Sequence, residues 1–182
     1  MRGSGALRRS THNAFSFALC LWVAKLLLDE PLVLVVLLAL IATLFTNWFI
    51  DSVAGHRGPR RTPYTHSILG ASAISLLLTL STYTVTVLLN LAIDVTLLKN
   101  IFILALVSSL SHLLLDAFTA DGVALLWPFK KRRVSLTSLH YDNPLLNGVA
   151  IGVGIALVLL YILSLHSSYL ASIATSTSCK PS

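Results

Sequence analysis

Three stretches of the chain, residues 32–50, 67–93 and 145–165, contain no Asp, Glu, Lys, Arg or His. A helix needs about 20 predominantly apolar residues to cross the hydrocarbon core of a bilayer, so each stretch is long enough for one crossing. A soluble domain must cover its surface with polar groups, and roughly a quarter of its residues are charged. Here 11% are charged and 55% are apolar, with a mean hydropathy of +0.83. Such a chain cannot make a wet surface over a whole globule, and the missing surface must face lipid. The fold class is therefore all-α: a polytopic membrane protein of about five transmembrane helices in one bundle. Its 182 residues are read as a single membrane-embedded helical domain, residues 1–182.

The five helices are expected at about 14–28, 31–50, 67 to just before Asp94, 101–118 and 145–165, with a polar Ser/Thr-rich tail behind the last. The first apolar run is followed by Asp29, Glu30 and Pro31 rather than by a small-residue cleavage site, so it is read as retained. Lys25 and Asp29 are four apart and can pair on one helical face. Pro31 suits a helix start, where its missing amide donor does no harm. Cys20 lies in an apolar helix and Cys179 in the tail, which suits neither a disulfide nor a CxxC metal pair.

Basic residues give an orientation. Arg2, Arg8 and Arg9 precede the first helix, Arg57, Arg60 and Arg61 lie between the second and third, and Lys130, Lys131, Arg132 and Arg133 lie between the fourth and fifth. All fall on one side, leaving Lys25, Lys99 and Lys180 for the other. The positive-inside rule then puts the N-terminus in the cytoplasm and the C-terminus outside, in a multi-pass plasma-membrane protein.

Mapped onto that topology, the histidines and acids gather on the cytoplasmic side. His12 begins the first helix, Asp51 ends the second, His66 begins the third, and His112 and Asp116 lie in the inner half of the fourth. The spacing of His112 and Asp116 stacks them on one face, with beta carbons about 5–6 Å apart. An ionisable pair inside an apolar helix is costly and marks a functional site by default. The bland alternative is a polar contact that ties helices together. Thr11-His12-Asn13 and Thr65-His66-Ser67 each precede an apolar helix; Thr as a cap would put His in the first turn. There the helix dipole disfavours imidazolium and favours the neutral ring that a metal requires. Helices one and two, and three and four, look like two hairpins that each begin with His and end with Asp. Three histidines and two carboxylates suit zinc or a similar first-row metal, as one ion or as two bridged by a carboxylate. Such a site makes a nucleophile of water at neutral pH. The chain has no P-loop, dinucleotide-binding turn or GxSxG elbow. Gly148, Gly152 and Gly154 read as close helix packing, with Gly148 and Gly152 in small-residue spacing.

The early Thr-His, Asp51, Gly55-His56-Arg57-Gly58, Thr65-His66-Ser67 and Ser111-His112-Leu113-Leu114-Leu115-Asp116 form a recognisable set. With Thr119 and Gly122 before Leu126-Trp127-Pro128-Phe129, it resembles the membrane-bound metal-dependent hydrolase family, which includes inner-membrane proteins of the LexA-binding type. The resemblance covers about residues 10–135, the expected metal-site core, leaving the fifth helix and tail at 145–182. Residues 59–64 separate two elements that are nearly adjacent in common members, which marks a divergent branch. Asn47 and Asp51 stand where the family carries an acidic cluster. More distantly, the order His, Asp, His, HxxxD is similar to that of zinc-dependent phospholipases C. That similarity implies His12, Asp51, His66, His112 and Asp116 as ligands, with His140 and Asp142 the downstream candidates to complete the set.

The leading expectation is a membrane-integral metal-dependent hydrolase, with phosphoester-containing lipids the first substrate class and one or two divalent ions, zinc first. Asp51 would be a ligand and the catalytic base. Arg57, Arg60 and Arg61 would meet a phosphate headgroup, as could the Lys130–Arg133 cluster, although these charges also serve topology and attraction to anionic lipid. Membrane lipids are the expected partners, and no specific nucleic-acid binding is expected. The alternative is a non-catalytic scaffold or partner-binding protein whose polar cluster packs helices. A transporter or proton path is a third reading. Against it, no chain of ionisable residues continues across the membrane, where Asp94 stands near the outer side.

Overall fold

The computed structural model describes the backbone of residues 9–53, 56–57, 60–92 and 94–178, and their side chains apart from 56–57, 60, 168–169 and 171–178. It contains five α-helices: α1 (Arg9–Leu27), α2 (Leu32–Trp48), α3 (Ile68–Leu88), α4 (Val95–Ala117) and α5 (Pro144–Ser178). A π-helical turn, Phe49–Val53, extends α2. Two-residue strands β1 (His56–Arg57) and β2 (Arg60–Arg61) pair antiparallel in the α2–α3 connection, His56 opposite Arg61.

Three helices begin where the sequence supplies a start signal. Pro31 is the N-cap of α2. Ser67 caps α3 by accepting from the Gly70 amide, and Asp94 caps α4 by accepting from the Thr96 amide. The Ile68 amide of α3 is satisfied from farther away, by the Leu125 carbonyl in the α4–α5 loop. Two starts differ from expectation. α1 begins at Arg9, so Thr11-His12-Asn13 lies inside the helix. α4 begins at Val95, where the Asp94 cap sets the boundary. At the other end of the chain α5 runs to Ser178 instead of giving way to a tail after residue 165, because neither Gly nor Pro interrupts the sequence there.

Among the described residues, four segments are long and apolar enough to cross a membrane: Leu32–Val53, Ile68–Leu88, Val95–Ala117 and Pro144–Ser167. α1 is not among them, unlike in the sequence reading, because it carries a run of polar residues. Its position explains why it can. α1 packs against α2, α4 and α5, and Thr11, His12 and Ser16 are buried within those contacts. α4 is the other central helix, touching α1, α2 and α3.

The bundle exposes large apolar side chains and buries many polar ones, unlike a soluble protein. Leu37, Ile41 and Leu44 of α2, Leu80, Val85 and Leu88 of α3, and Leu159 and Leu163 of α5 are exposed. Thr43, Thr46, Ser75, Asn100, Ser108 and Ser111 are buried. Lipid solvates the first set as well as another helix would, so small and hydroxyl residues form the contacts between helices. Ser16 Oγ meets Ser111 Oγ at 2.6 Å and Thr46 Oγ1 meets Ser108 Oγ at 2.6 Å. An apolar core around Cys20, Ala24, Ala39, Ala42, Leu104 and Ala105 fills the half of the bundle away from Asp51 and Asp116. Lys25, expected to pair with Asp29, donates from Nζ to Ser164 Oγ of α5 at 2.7 Å. Of the α5 glycines, Gly154 is the packing residue: a Cβ there would lie 3.0 Å from the Ala14 carbonyl oxygen of α1. Gly148 and Gly152 face open space, so their small-residue spacing makes no helix contact in this chain.

Candidate metal centre

Four segments bring five side chains together. α1 supplies His12, and the π-turn after α2 supplies Asp51. π-turns inside helices are often found at functional sites because the extra residue re-aims a side chain. The connection before α3 supplies His66, and α4 supplies His112 and Asp116. His12, His112 and Asp116 form one trio whose ligand atoms lie within 4.8 Å of one another; Asp51, His66 and His112 form a second. His12, His112 and Asp116 are 0% exposed, His66 1% and Asp51 8%, so all five are buried.

All three imidazoles point Nε2 at a carboxylate. His12 Nε2 lies 3.4 Å from Asp116 Oδ1, and His66 Nε2 lies 3.4 Å from Asp116 Oδ2. His112 Nε2 lies 3.5 Å from Asp116 Oδ2 and 3.5 Å from Asp51 Oδ1. The rings of His12 and His112 stack with centroids 3.8 Å apart.

In two of the three rings, His112 and His66, the opposite nitrogen is held by the protein. His112 Nδ1 lies 3.0 Å from Asn47 Oδ1, and Asn47 Nδ2 donates to Asn13 Oδ1 at 2.9 Å, which assigns the Asn47 oxygen to the histidine. His66 Nδ1 lies 3.2 Å from the Thr62 carbonyl and 3.0 Å from Thr65 Oγ1. With the proton on Nδ1 in both rings, each Nε2 presents a lone pair to the cluster. Burial pushes the His66 imidazole below its ordinary pKa, more than the Asp116 carboxylate raises it.

Arg61 closes one side. Its Nη2 is 2.7 Å from Asp116 Oδ1, close enough for an ion pair but misaligned for a hydrogen bond. Nη1 donates to Thr119 Oγ1 at 2.7 Å and reaches the carbonyls of Gly122 and Asp116 at 3.3 and 3.4 Å. Gly122 has φ of +58°, and a Cβ there would sit 2.5 Å from the Val134 carbonyl oxygen, so this turn requires glycine.

These donors fit a first-row divalent metal. Hydrogen bonds between imidazole and carboxylate are about 2.7–3.2 Å long, shorter still when charged. The four N···O separations here, 3.4 to 3.5 Å, are too long for that. They match the about 3.4 Å between neighbouring ligands of a tetrahedral ion bound at about 2.1 Å. Neither His12 ring nitrogen, nor His112 Nε2, nor either Asp116 oxygen has an aligned hydrogen bond. Burying so many unsatisfied polar atoms is costly without a cation between them.

The structure therefore brings together His12, Asp51, His66, His112 and Asp116. It does not add His140 and Asp142, which pair with each other at 2.7 Å while 63% and 66% exposed. Arg61, expected to meet a headgroup, is 2% exposed and turned onto Asp116. The side chains of Arg57, Arg60 and His56 lie outside the described residues, as do Arg2, Arg8, Cys179 and Lys180. The two Thr-His pairs act differently from helix caps. Thr11 lies inside α1 and donates to Asn147 Oδ1 of α5 at 2.7 Å. His66 precedes the Ser67 cap, so contacts to Thr62 and Thr65 fix its tautomer in place of the first-turn dipole. Asn47 and Asn13 were not read as site residues, although Asn47 stands one turn before Asp51 and Asn13 directly follows His12.

A cleft of ≈ 500 Å³ between α1 and α2 reaches this asparagine pair, lined by Arg9, Asn13, Leu44, Phe45, Asn47 and Trp48. Leu44 and Trp48 are 46% and 53% exposed on a helix apolar enough to span a membrane, so the cleft opens on the lipid-facing side.

The chain matches the family described as YdjM inner membrane protein over residues 7–177 and belongs to that family. No curated protein and no solved structure matches it.

Proposed function

Starting from an inner-membrane protein with a buried His/Asp cluster, we propose a metal-dependent hydrolase that acts on a phosphoester-containing lipid. The observation that carries this reading is the set of Nε2-to-carboxylate separations, too long for good hydrogen bonds and suited to ligands of one or two ions. His12, His66, His112, Asp116 and Asp51 would hold the metal, with zinc the first candidate for an N/O donor set. A divalent ion supplies Lewis acidity toward the ester and lowers the pKa of water.

The chain's own residues do the rest. Asn47 and Thr62 hold the proton on Nδ1 of His112 and His66 and so keep each Nε2 unprotonated and aimed. Arg61 offsets the charge of Asp116 and fixes its rotamer. Asp51 accepts the proton of the attacking water. The α1–α2 cleft gives an ester in the membrane a route to the cluster, with Arg9 for a phosphate and Leu44, Phe45 and Trp48 for an acyl chain. With ten basic residues assigned to one side, the site lies toward the cytoplasm, the N-terminus inside and the C-terminus outside.

A second reading is a scaffold in which the cluster ties helices. It is favoured by the Arg61–Asp116 ion pair and by the Ser16–Ser111 and Thr46–Ser108 contacts. The deciding experiment is metal analysis of protein purified without a histidine tag, followed by turnover of phospholipids with added zinc or manganese. Bound metal with ester turnover supports the hydrolase. Neither metal nor turnover moves the assignment to the scaffold.

A further inference from the structure

The α4–α5 connection contains a second cleft, of ≈ 330 Å³, lined by Leu126, Lys130, Arg132, Arg133, Val134 and Ser135. Clefts that enclose ligands run from about 300 Å³ upward, so this one has room for a headgroup rather than a whole lipid. Three of its six lining residues are cations and none is an acid. Arg133 belongs to the wall: it donates from Nη2 to the Arg61 carbonyl at 2.8 Å and from Nη1 to the Asp121 carbonyl at 3.3 Å. That anchoring fixes the cleft and joins it by backbone to the arginine that holds Asp116. Lys130 and Arg132 are exposed at the mouth.

Leu126 gives the cleft an exposed apolar rim, and two residues that flank the lining in sequence, Phe129 and Leu136, are apolar and exposed as well. Phe129, next to Lys130, is 90% exposed, and Leu126 and Leu136 are 49% and 56% exposed. A site for a free anion would have no use for such a rim, and exposed apolar patches of this kind mark contact surfaces. Cations flanked by an aromatic and by leucines suit the membrane interface, where the ring enters the acyl region and the charges meet phosphates.

From the charge complementarity and the rim, we infer that this cleft docks the headgroup of one anionic phospholipid, with Lys130 and Arg132 on the phosphate and Phe129 beside the acyl chain. The site is separate from the His/Asp cluster and requires neither metal nor hydrolysis.

The test is calorimetric titration of delipidated full-length protein in neutral detergent. Dioctanoyl phosphatidylglycerol, dioctanoyl phosphatidylcholine and glycerol 1-phosphate are the three probes. Phosphatidylglycerol should bind tightest. Each basic residue near a membrane phosphate is worth about 5-fold in affinity, so Lys130→Gln with Arg132→Gln should weaken phosphatidylglycerol about 25-fold and abolish its preference over phosphatidylcholine. Phe129→Ala should weaken both lipids and leave that preference. Equal binding of the two lipids by wild type, which needs no variant, would show lipid of the general annulus and overturn the assignment. An unchanged affinity in the double variant would do the same. Glycerol 1-phosphate binding as tightly as the lipid would make this a soluble-anion site and remove the membrane from it.

Discussion

Asn47 Oδ1 lies 3.0 Å from His112 Nδ1, and the same amide donates to Asn13 Oδ1 at 2.9 Å. One side chain of α2 thus links α1 to α4 and settles which nitrogen of His112 faces the carboxylates. Outer partners of this kind typically change metal affinity 10–100-fold when removed. Asn47→Leu should therefore weaken zinc binding by about 10–100-fold in a chelator competition assay. His140→Ala, on an exposed pair outside the cluster, should leave it unchanged. Equal affinities in wild type and Asn47→Leu would remove the asparagine from the metal's surroundings.

The ligands themselves predict a sharper loss. His112→Ala or Asp116→Ala should release bound metal while the protein remains in the membrane, because insertion depends on the apolar runs and not on these residues. Elemental analysis of purified membranes and protein reads both parts. Full metal stoichiometry in either single variant would remove that residue as a ligand.

Gly70 offers a test that touches no ligand. A Cβ there would collide with the Tyr64 carbonyl oxygen, two residues before His66, and lie 3.0 Å from the Thr65 Cα. Gly70→Ala should displace the loop that fixes His66, at a cost of about 1–3 kcal/mol in stability, and weaken metal binding with it. Gly148→Ala has nothing within 4 Å and should be neutral in both thermal unfolding and metal affinity. Similar behaviour of the two variants would mean that the approach at Gly70 does not hold the site together.

What was legible in the sequence follows from what each signal encodes. Charge-free runs report the lipid contact directly, so α2, α3 and α5 could be placed from composition. The five clustered residues were legible because ionisable groups are rare in apolar helices, and His112 and Asp116 share a helical face by their spacing alone. α1 was harder: its polar residues are buried by three other helices, and no local pattern reveals that. Arg61 was misplaced for a similar reason. A basic residue in a loop reads as surface, whereas the β1–β2 pairing and the Thr119–Gly122 turn fold it back onto Asp116. Asn47 carries no charge, and its role depends on a partner distant in sequence on α4.

Orientation rests on the distribution of basic residues. Reporter fusions, or single cysteines probed with a membrane-impermeant label, should place residues 55–65 and 128–143 in the cytoplasm and the C-terminus outside. The opposite labelling pattern would put the His/Asp cluster on the outer face and exclude a cytoplasmic-leaflet substrate.

Asp51 separates enzyme from scaffold. Its Oδ1 lies 3.5 Å from His112 Nε2. Asp51→Asn keeps the side chain's shape and its capacity for hydrogen bonds but removes its charge. A scaffold should tolerate the change, since neutral amides bridge membrane helices and each such bond is worth only about 1 kcal/mol. A hydrolytic centre should not, because an amide is a poorer metal ligand and cannot take a proton from water. The expected outcome is unchanged thermal stability with turnover of a phospholipid and phosphodiester panel reduced at least about 100-fold, the usual contribution of a positioned general base. Turnover that survives in Asp51→Asn at the wild-type rate would take the base role from this residue. An inactive wild type with unaltered helix packing in the variant would favour the scaffold.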